Sequence, residues 1–574
     1  MTRIGITGGV RAVMAGDHLA IGRAYLVLSL VFLFLGGFLA LLVRWQLAYS
    51  GSEVPIWLAG PLLGEQLAPG GVIGPDGYLV LFTMHATFMV YYAILPLIVG
   101  AFANLVVPAQ IGARAMAFPR LNAIAFALTA SSGLLMVATF FVSGGAPATG
   151  WTAYAPLSAV EAYTGIGAGQ DMWCIAILVD GIGLILSSIN LITTIVTRRA
   201  SGMRYLRMPL TVWSQMITGI LILLSIPVLA AALIMLLMDR NVGTSFFLPH
   251  GLKVSGVPID GLAGGGEPLL WQHLFWFFGH PIVYVMILPA MGIVSDLLSV
   301  FSRKPVFGYR AMVVSMSAIA FLGFLVWGHH MFQSGMNPML GTTFMISTMV
   351  IAVPSGVKIF NWIATIWRGR ISFELPMLHA LGFVGLFAIG GMSGIFMASP
   401  PVDSFIHDTY FVVGHIHYVL FGGTLFAAFA GICYWYPRMT GRLLHRGLGR
   451  FHFWLSFIAF NCTFFPMHIL GAGGMLRRMY DFRGYTDFVK FDGLNVFMTI
   501  SAIVLGATQL LFVANLLWSR SRGRVSDGNP WRSVTLEWAG EGSAPVIVYG
   551  GPHEYSNPEF ERDFTPQDTE RAAR

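Results

Sequence analysis

The chain has 574 residues, 56% hydrophobic and 10% charged, with a formal net charge of +7 and a mean hydropathy of +0.73. A water-soluble domain has nowhere to hide that much apolar surface, so composition excludes that class and indicates an all-α, polytopic membrane protein. The excess positive charge sits in the connections between apolar segments, so it calls for lipid surroundings and no nucleic-acid partner.

Twelve segments are long enough to cross a bilayer as helices, at roughly 26–44, 79–107, 121–144, 172–197, 212–237, 270–300, 311–333, 340–366, 375–397, 409–436, 451–470 and 495–518. Residues 1–25 precede this membrane domain of 26–518, and a polar tail, 519–574, follows it. Charge in the connections alternates. One set carries Arg114 and Arg120, then Arg198, Arg199, Arg204 and Arg207, then Arg303, Lys304 and Arg310, then Arg368 and Arg370, then Arg438, Arg442, Arg446 and Arg450. The other carries Glu53, Glu65, Asp76, Glu161, Asp171, Asp403 and Asp408. By the positive-inside rule both termini are expected in the cytoplasm. The first apolar run reads as a span and not as a cleaved signal. Cys174, Cys433 and Cys462 all lie inside spans without a CxxC pattern and read as small apolar residues.

Among the histidines that fall within spans, seven are singled out: His85, His273, His280, His329, His330, His415 and His417. A single interior histidine is commonly just hydrogen-bonded, but seven with almost no carboxylates to pair them point to a buried metal or haem cluster. At a rise of about 1.5 Å per residue, His85 lies roughly 9 Å inside the acidic face, His415 and His417 at a similar level, and His280 about 16 Å deep. His415 and His417, two residues apart, point to nearly opposite sides of one helix and serve two centres. The adjacent pair His329–His330 is able to share one ion with His280. Lys358, in "VPSGVKIFNWIATI", is the one lysine placed mid-span, in the half nearer the arginine-rich loops. Snorkelling to the interface is its bland reading and proton carriage its sharper one.

"WQHLFWFFGHPIVY", "WGHHMF", "PSGVK" and "HDTYFVVGHIHYVL" follow one another on the expected spans, and in combination they resemble subunit I of the haem–copper oxidases. The resemblance implies that His85 and His417 are axial ligands of a low-spin haem and His415 that of a high-spin haem. His280, His329 and His330 would hold a copper ion, with Tyr284 covalently joined to His280, one helical turn away. Arg477 and Arg478 resemble a pair that binds haem propionates, with Leu476 where the family has proline. Arg44 matches an arginine beside the low-spin haem, compatible with haem a. His407 and Asp408 resemble ligands of a magnesium site. Lys358, with Ser355 and Ser295, matches one of two proton pathways. Implied with these are reduction of O2 to water, cytochrome c as donor, a subunit II bearing its own copper, a subunit III, and an inner (plasma) membrane location.

The second proton pathway departs from the family. Ala115 stands where its first aspartate is expected, Ile282 where its final glutamate is expected, and Gly183 and Leu184 replace two serines. Asn104, Asn122 and Asn190 remain, and Phe278 and Gly279 exclude the Tyr-Ser substitute used by other branches. Neither alanine nor isoleucine holds a proton, so protons for chemistry are expected through Lys358, with pumping altered or reduced. Asp180 is an isolated carboxylate at membrane depth, read either as a hydrogen-bonded structural residue or as part of a new route. Two rival functions use the same scaffold. Nitric oxide reduction is disfavoured by Tyr284 and by the absence of added glutamates. Quinol oxidation is disfavoured by Leu35, Leu39, Gly77 and Val80 at the positions that would bind quinol.

Overall fold

A computed structural model describes residues 6–54, 64–65, 67–259, 264–538, 546–548, 550–553 and 564–566. Residues 1–5 of the N-terminal segment and most of the tail beyond 553 lie outside the described residues. Among the described residues, eleven helices are long and apolar enough to span a membrane: α1 (His18–Ala48), α2 (Pro75–Gln110), α3 (Pro119–Phe141), α4 (Ala168–Thr197), α5 (Leu210–Asn241), α6 (Pro268–Ser302), α8 (Pro338–Ile366), α9 (Leu375–Met397), α10 (Tyr410–Thr440), α11 (Arg446–Ala472) and α12 (Asp492–Arg522). The expected seventh span is a shorter apolar helix, α7 (Tyr309–Gly323).

Helix starts follow local chemistry. Asp17 caps α1 through the backbone N–H groups of Leu19 and Ala20, Asn337 caps α8, and Thr409 caps α10. Proline opens α2, α3, α6, α8 and α9, where its missing N–H leaves no bond unmade. The first turn of α5 is capped from another helix. Asp296 of α6 accepts hydrogen bonds from the backbone N–H groups of Leu210 and Thr211 and from the Thr211 hydroxyl. Close approach of α5 to α6 depends on Gly292, where a Cβ would lie 2.2 Å from Ser214 Oγ.

Three departures from the expected spans matter for the site. First, α2 begins at Pro75 and not near 79, so His85 stands ten residues in, about 15 Å along the axis. Second, α2 opens into wider π-type turns over Phe88–Ile94 and Pro96–Phe102, as does α10 over Leu420–Leu425. Both helices carry expected haem ligands just before the widening. Third, the continuous helix expected over 311–333 ends at Gly323, and a 3₁₀ turn, Trp327–Met331, carries His329 and His330. The break has a packing cause: the Tyr284 ring lies within 2.8 Å of a Cβ added at Gly323, and Phe344 lies within 2.3 Å of one added at Gly328. Those contacts hold the chain against α6 and α8, where an ideal helix would drift away.

The tail turns back on the ends of the helices from which the arginine-rich loops emerge. Trp538 Nε1 donates to Tyr434 Oη at 2.7 Å, Trp531 Nε1 to Tyr434 O at 2.8 Å, and Arg303 to the carbonyls of Trp531 and Arg532. His553 meets buried Asp296 at 3.2 Å. Burial raises the Glu537 carboxyl above its ordinary pKa, eased by its own backbone N–H, Thr535 and His553. Trp538→Ala is expected to weaken tail docking by about 3 kcal/mol, read as faster limited proteolysis between 523 and 553. An unchanged cleavage rate would show that Trp538 does not anchor the tail.

Candidate metal centre

The three histidines of α6 and the 3₁₀ turn meet as expected. One candidate ligand atom from each of His280, His329 and His330 lies within 4.8 Å of the others, and no carboxylate joins them. His280 Nδ1 and His330 Nε2 are 3.2 Å apart. A metal–imidazole bond of about 2.0 Å places neighbouring ligand nitrogens about 3.3 Å apart, so the donor set fits one ion. Each ring is held from behind. His329 Nδ1 bonds the Thr348 hydroxyl at 2.9 Å, and His330 stacks on Trp276 with ring centroids 3.8 Å apart. These contacts leave a nitrogen of each ring free for the ion. Tyr284 lies one turn from His280 with ring centroids 4.8 Å apart, and His280 Nε2 is buried without a partner. Pro281 lacks the N–H that would bond the Phe277 carbonyl, so the helix is locally open beside this histidine.

His85 and His417 face each other from α2 and α10, their planes parallel to within 4° and their centroids 6.3 Å apart. Nδ1 of His85 bonds Gly36 O at 2.8 Å and Nδ1 of His417 bonds Val413 O at 2.8 Å. That fixes the tautomer and leaves both Nε2 atoms as donors to a metal. The separation accommodates one iron with a bond of about 2.0 Å to each ring. His415 is oriented separately, its Nδ1 between the Ser393 hydroxyl (2.9 Å) and Gly390 O (3.0 Å). His273 takes the bland role: its Nδ1 accepts from Trp327 Nε1 at 3.2 Å.

Arg44 is buried and donates through Nη2 to Asn495 O and Oδ1, while Nη1 has no partner. A buried orphan guanidinium N–H fits a polar acceptor on a bound group. In the loop before α12, Arg477 pairs with Asp408 and Arg483 with Asp492. Much of that loop's positive charge is therefore neutralised within the chain. Arg478 lies 5.3 Å over the Phe82 ring, against Gly150, where a Cβ would meet its Nη2 at 3.2 Å. Burial lowers the Arg478 pKa to about 10, with Arg477 adding to the effect, and an anionic group on the cofactor would relieve both. Burial acts to raise Asp408, but Arg477, His407 and Arg478 hold its carboxyl below the ordinary value. His407 Nδ1 lies 3.3 Å from Asp403 Oδ2, and His407 Nε2 lies 4.0 Å from Asp408. Asp403 had escaped sequence reasoning, although a carboxylate four residues before a histidine on a short helix is a readable signal.

Lys358 is fully buried, its Nζ has no partner, and it lies 5.3 Å over the Trp362 ring. Trp362 Nε1 donates to Ser295 Oγ at 2.8 Å, so one indole touches two of the three expected pathway residues. Ser355 precedes Lys358 by one turn on α8. At the expected second pathway, Asn122 Nδ2 donates to Asn104 Oδ1 at 2.6 Å and Asn190 Oδ1 accepts from the Phe118 backbone. Ile282 is wholly buried. The positioning residues Thr348, Ser393 and Trp276 also went unread, because their partners come from other elements of the fold.

Known proteins agree with this arrangement. The family model described as Cytochrome C and Quinol oxidase polypeptide I matches residues 20–504. Cytochrome c oxidase subunit 1 of Synechocystis sp. is 45% identical over 549 residues, 94% of this chain and 91% of the relative. That of Thermostichus vulcanus is 44% identical over the same shares. A cryo-EM structure of a heme-copper terminal oxidase dimer has the same fold, with a TM-score of 0.68 at 18% identity, over 90% of this chain and 85% of that one. With the motifs, the histidine geometry and these relatives in agreement, the chain belongs to the cytochrome c and quinol oxidase polypeptide I family, the haem–copper oxidases.

Proposed function

We propose that this chain is the catalytic subunit of a respiratory terminal oxidase, reducing O2 to water with electrons from cytochrome c. The carrying observation is the carboxylate-free trio His280, His329 and His330 beside Tyr284. His280, His329 and His330 would hold copper, His415 a high-spin haem, and His85 and His417 a low-spin haem. When bound, these groups supply the electrons and the site at which O2 is reduced. The protein orients the imidazoles through Thr348, Trp276, Ser393 and backbone carbonyls, and keeps the Tyr284 phenol beside His280 as a proton and electron donor. The orphan Nη1 of Arg44 supports haem a, whose formyl oxygen would accept from it. Arg478, with Arg477, would hold propionates. His407 and Asp408, joined by Asp403, would hold magnesium.

O2 is favoured over nitric oxide because no Asp or Glu among the described residues joins the three histidines. Cytochrome c is favoured over quinol because Leu35, Leu39, Gly77 and Val80 offer no polar side chain to a quinol. A Cβ at Gly77 would lie 2.1 Å from Leu67 O, and Leu39 and Val80 are buried. Electrons would then arrive through a copper-bearing subunit II, with a subunit III alongside. The multi-pass membrane domain would lie in the plasma membrane with both termini cytoplasmic, as the alternation of basic loops directs.

Protons for chemistry enter through Lys358, Ser355 and Ser295. The amine of Lys358 has nothing else to bond, and Ala115 and Ile282 close the usual alternative. Lys358→Met is expected to lower O2 turnover by about 100-fold or more, with haem absorbance retained. Turnover near wild type would require another route. In reconstituted vesicles, protons released per electron should fall below the full pumping stoichiometry of a chain with both carboxylates. Full stoichiometry would contradict the loss of the second pathway.

A further inference from the structure

Four aspartates are buried among the described residues: Asp180, Asp239, Asp296 and Asp403. Three have structural work. Asp239 accepts from Thr244 Oγ1 and from the backbone N–H groups of Phe246 and Phe247; Asp296 caps α5; Asp403 meets His407. Asp180, in the middle of α4 and 1% exposed, is different: neither of its oxygens makes a close hydrogen bond, and the Thr129 hydroxyl is the donor that faces it. A purely structural carboxylate would not be left so, because an unsatisfied buried polar group costs about 1–3 kcal/mol and more if charged.

Its surroundings are polar on three sides. Thr129 of α3, Tyr25 of α1, and Tyr91 and Tyr92 of α2 face it. The Tyr91 hydroxyl is also buried without a partner, and that of Tyr92 makes no close hydrogen bond, with Ser132 of α3 beside it. Room for this cluster comes from Gly183, where a Cβ would stand 3.1 Å from Thr129 Oγ1. Further unpartnered groups lie toward the arginine-rich loops: Asn122 Oδ1 and Asn190 Nδ2. Asn190 lies ten residues beyond Asp180 on the same helix, about 15 Å. In the other direction the Tyr91 ring stacks on Phe278, centroids 6.4 Å apart, and Phe278 is two residues from His280. Unpartnered polar groups thus lie at Asp180 and again at the asparagines nearer the basic face, and the cluster borders Phe278 on the copper side.

We propose that Asp180, with Thr129, Tyr25, Tyr91 and Tyr92, is a proton-holding site that takes up protons from the asparagine side and passes them toward the copper histidines. The Asp180 Oδ–H bond breaks as the Tyr91 oxygen gains that proton, and the Tyr91 Oη–H bond breaks as its proton passes to a water molecule on the copper side. A proton arriving from the side of Asn122 then restores the carboxyl, and no electron moves in the cluster. This relay gives the chain a second, limited proton route beside Lys358. It rests on the oxidase reading only for the direction of flow.

The test uses the holoenzyme with Asp180→Asn, Asp180→Glu and Tyr91→Phe. Difference infrared spectra between oxidised and chemically reduced enzyme should contain a carboxyl band that is lost in D180N and displaced in D180E. In vesicles, the residual proton release per electron should be lost in D180N, return in D180E, and decline in Y91F, which keeps the stack on Phe278. An identical carboxyl band in D180N, or proton release unchanged in both D180N and Y91F, would overturn the proposal. Should D180N fail to assemble with haem, the Y91F release ratio decides alone. Absence of O2 turnover in the unaltered enzyme would instead sink the oxidase reading and leave the infrared outcome to stand.

Discussion

Three imidazoles with no carboxylate among them are gathered in the apolar interior, and the fold is arranged around that gathering. Neutral rings avoid the cost of burying charge, yet their free nitrogens need a partner that the protein itself does not supply. A metal ion satisfies them. The rings must therefore be aimed before the ion arrives, which is the task of Trp276 behind His330 and Thr348 behind His329. The same logic repeats at His85, His417 and His415, each with Nδ1 committed to a backbone or hydroxyl oxygen. Glycines at 323 and 328 let the supporting rings approach, so the break in the expected seventh span serves the site directly.

Much of this was legible in sequence because membrane burial makes polar residues informative. The apolar runs located the helices to within a few residues, and the histidines stood out for want of acidic partners. What sequence could not give was geometry created by contact between elements. The 3₁₀ turn at His329 and His330 depends on Tyr284 and Phe344 from other helices. The wide turns in α2 and α10 carry no residue signature. Arg477 and Arg478, read as a propionate-binding pair, prove to be divided: Arg477 is paired with Asp408, and Arg478 lies over the Phe82 ring.

The proton side is where the chain differs most from the pattern its motifs set. Substitution at 115 and 282 removes carriers without disturbing the metal ligands, since Ile282 simply fills apolar space between His280 and Tyr284. Among the described residues, Lys358 on α8 and Asp180 on α4 are both buried without a close hydrogen bond, on separate helices. Their isolation is costly for stability and is explained if each exchanges protons. A chain with one complete route and one rebuilt route would couple chemistry and proton movement in a ratio of its own.

All of these arguments depend on the histidines holding two haems and one copper. The most direct measurement is metal analysis of the purified protein, combined with reduced and CO-bound optical spectra. The account predicts two irons and one copper at the six histidines, with CO binding to one of the two haems only. Copper below one per chain, or CO binding to both haems or neither, would contradict it.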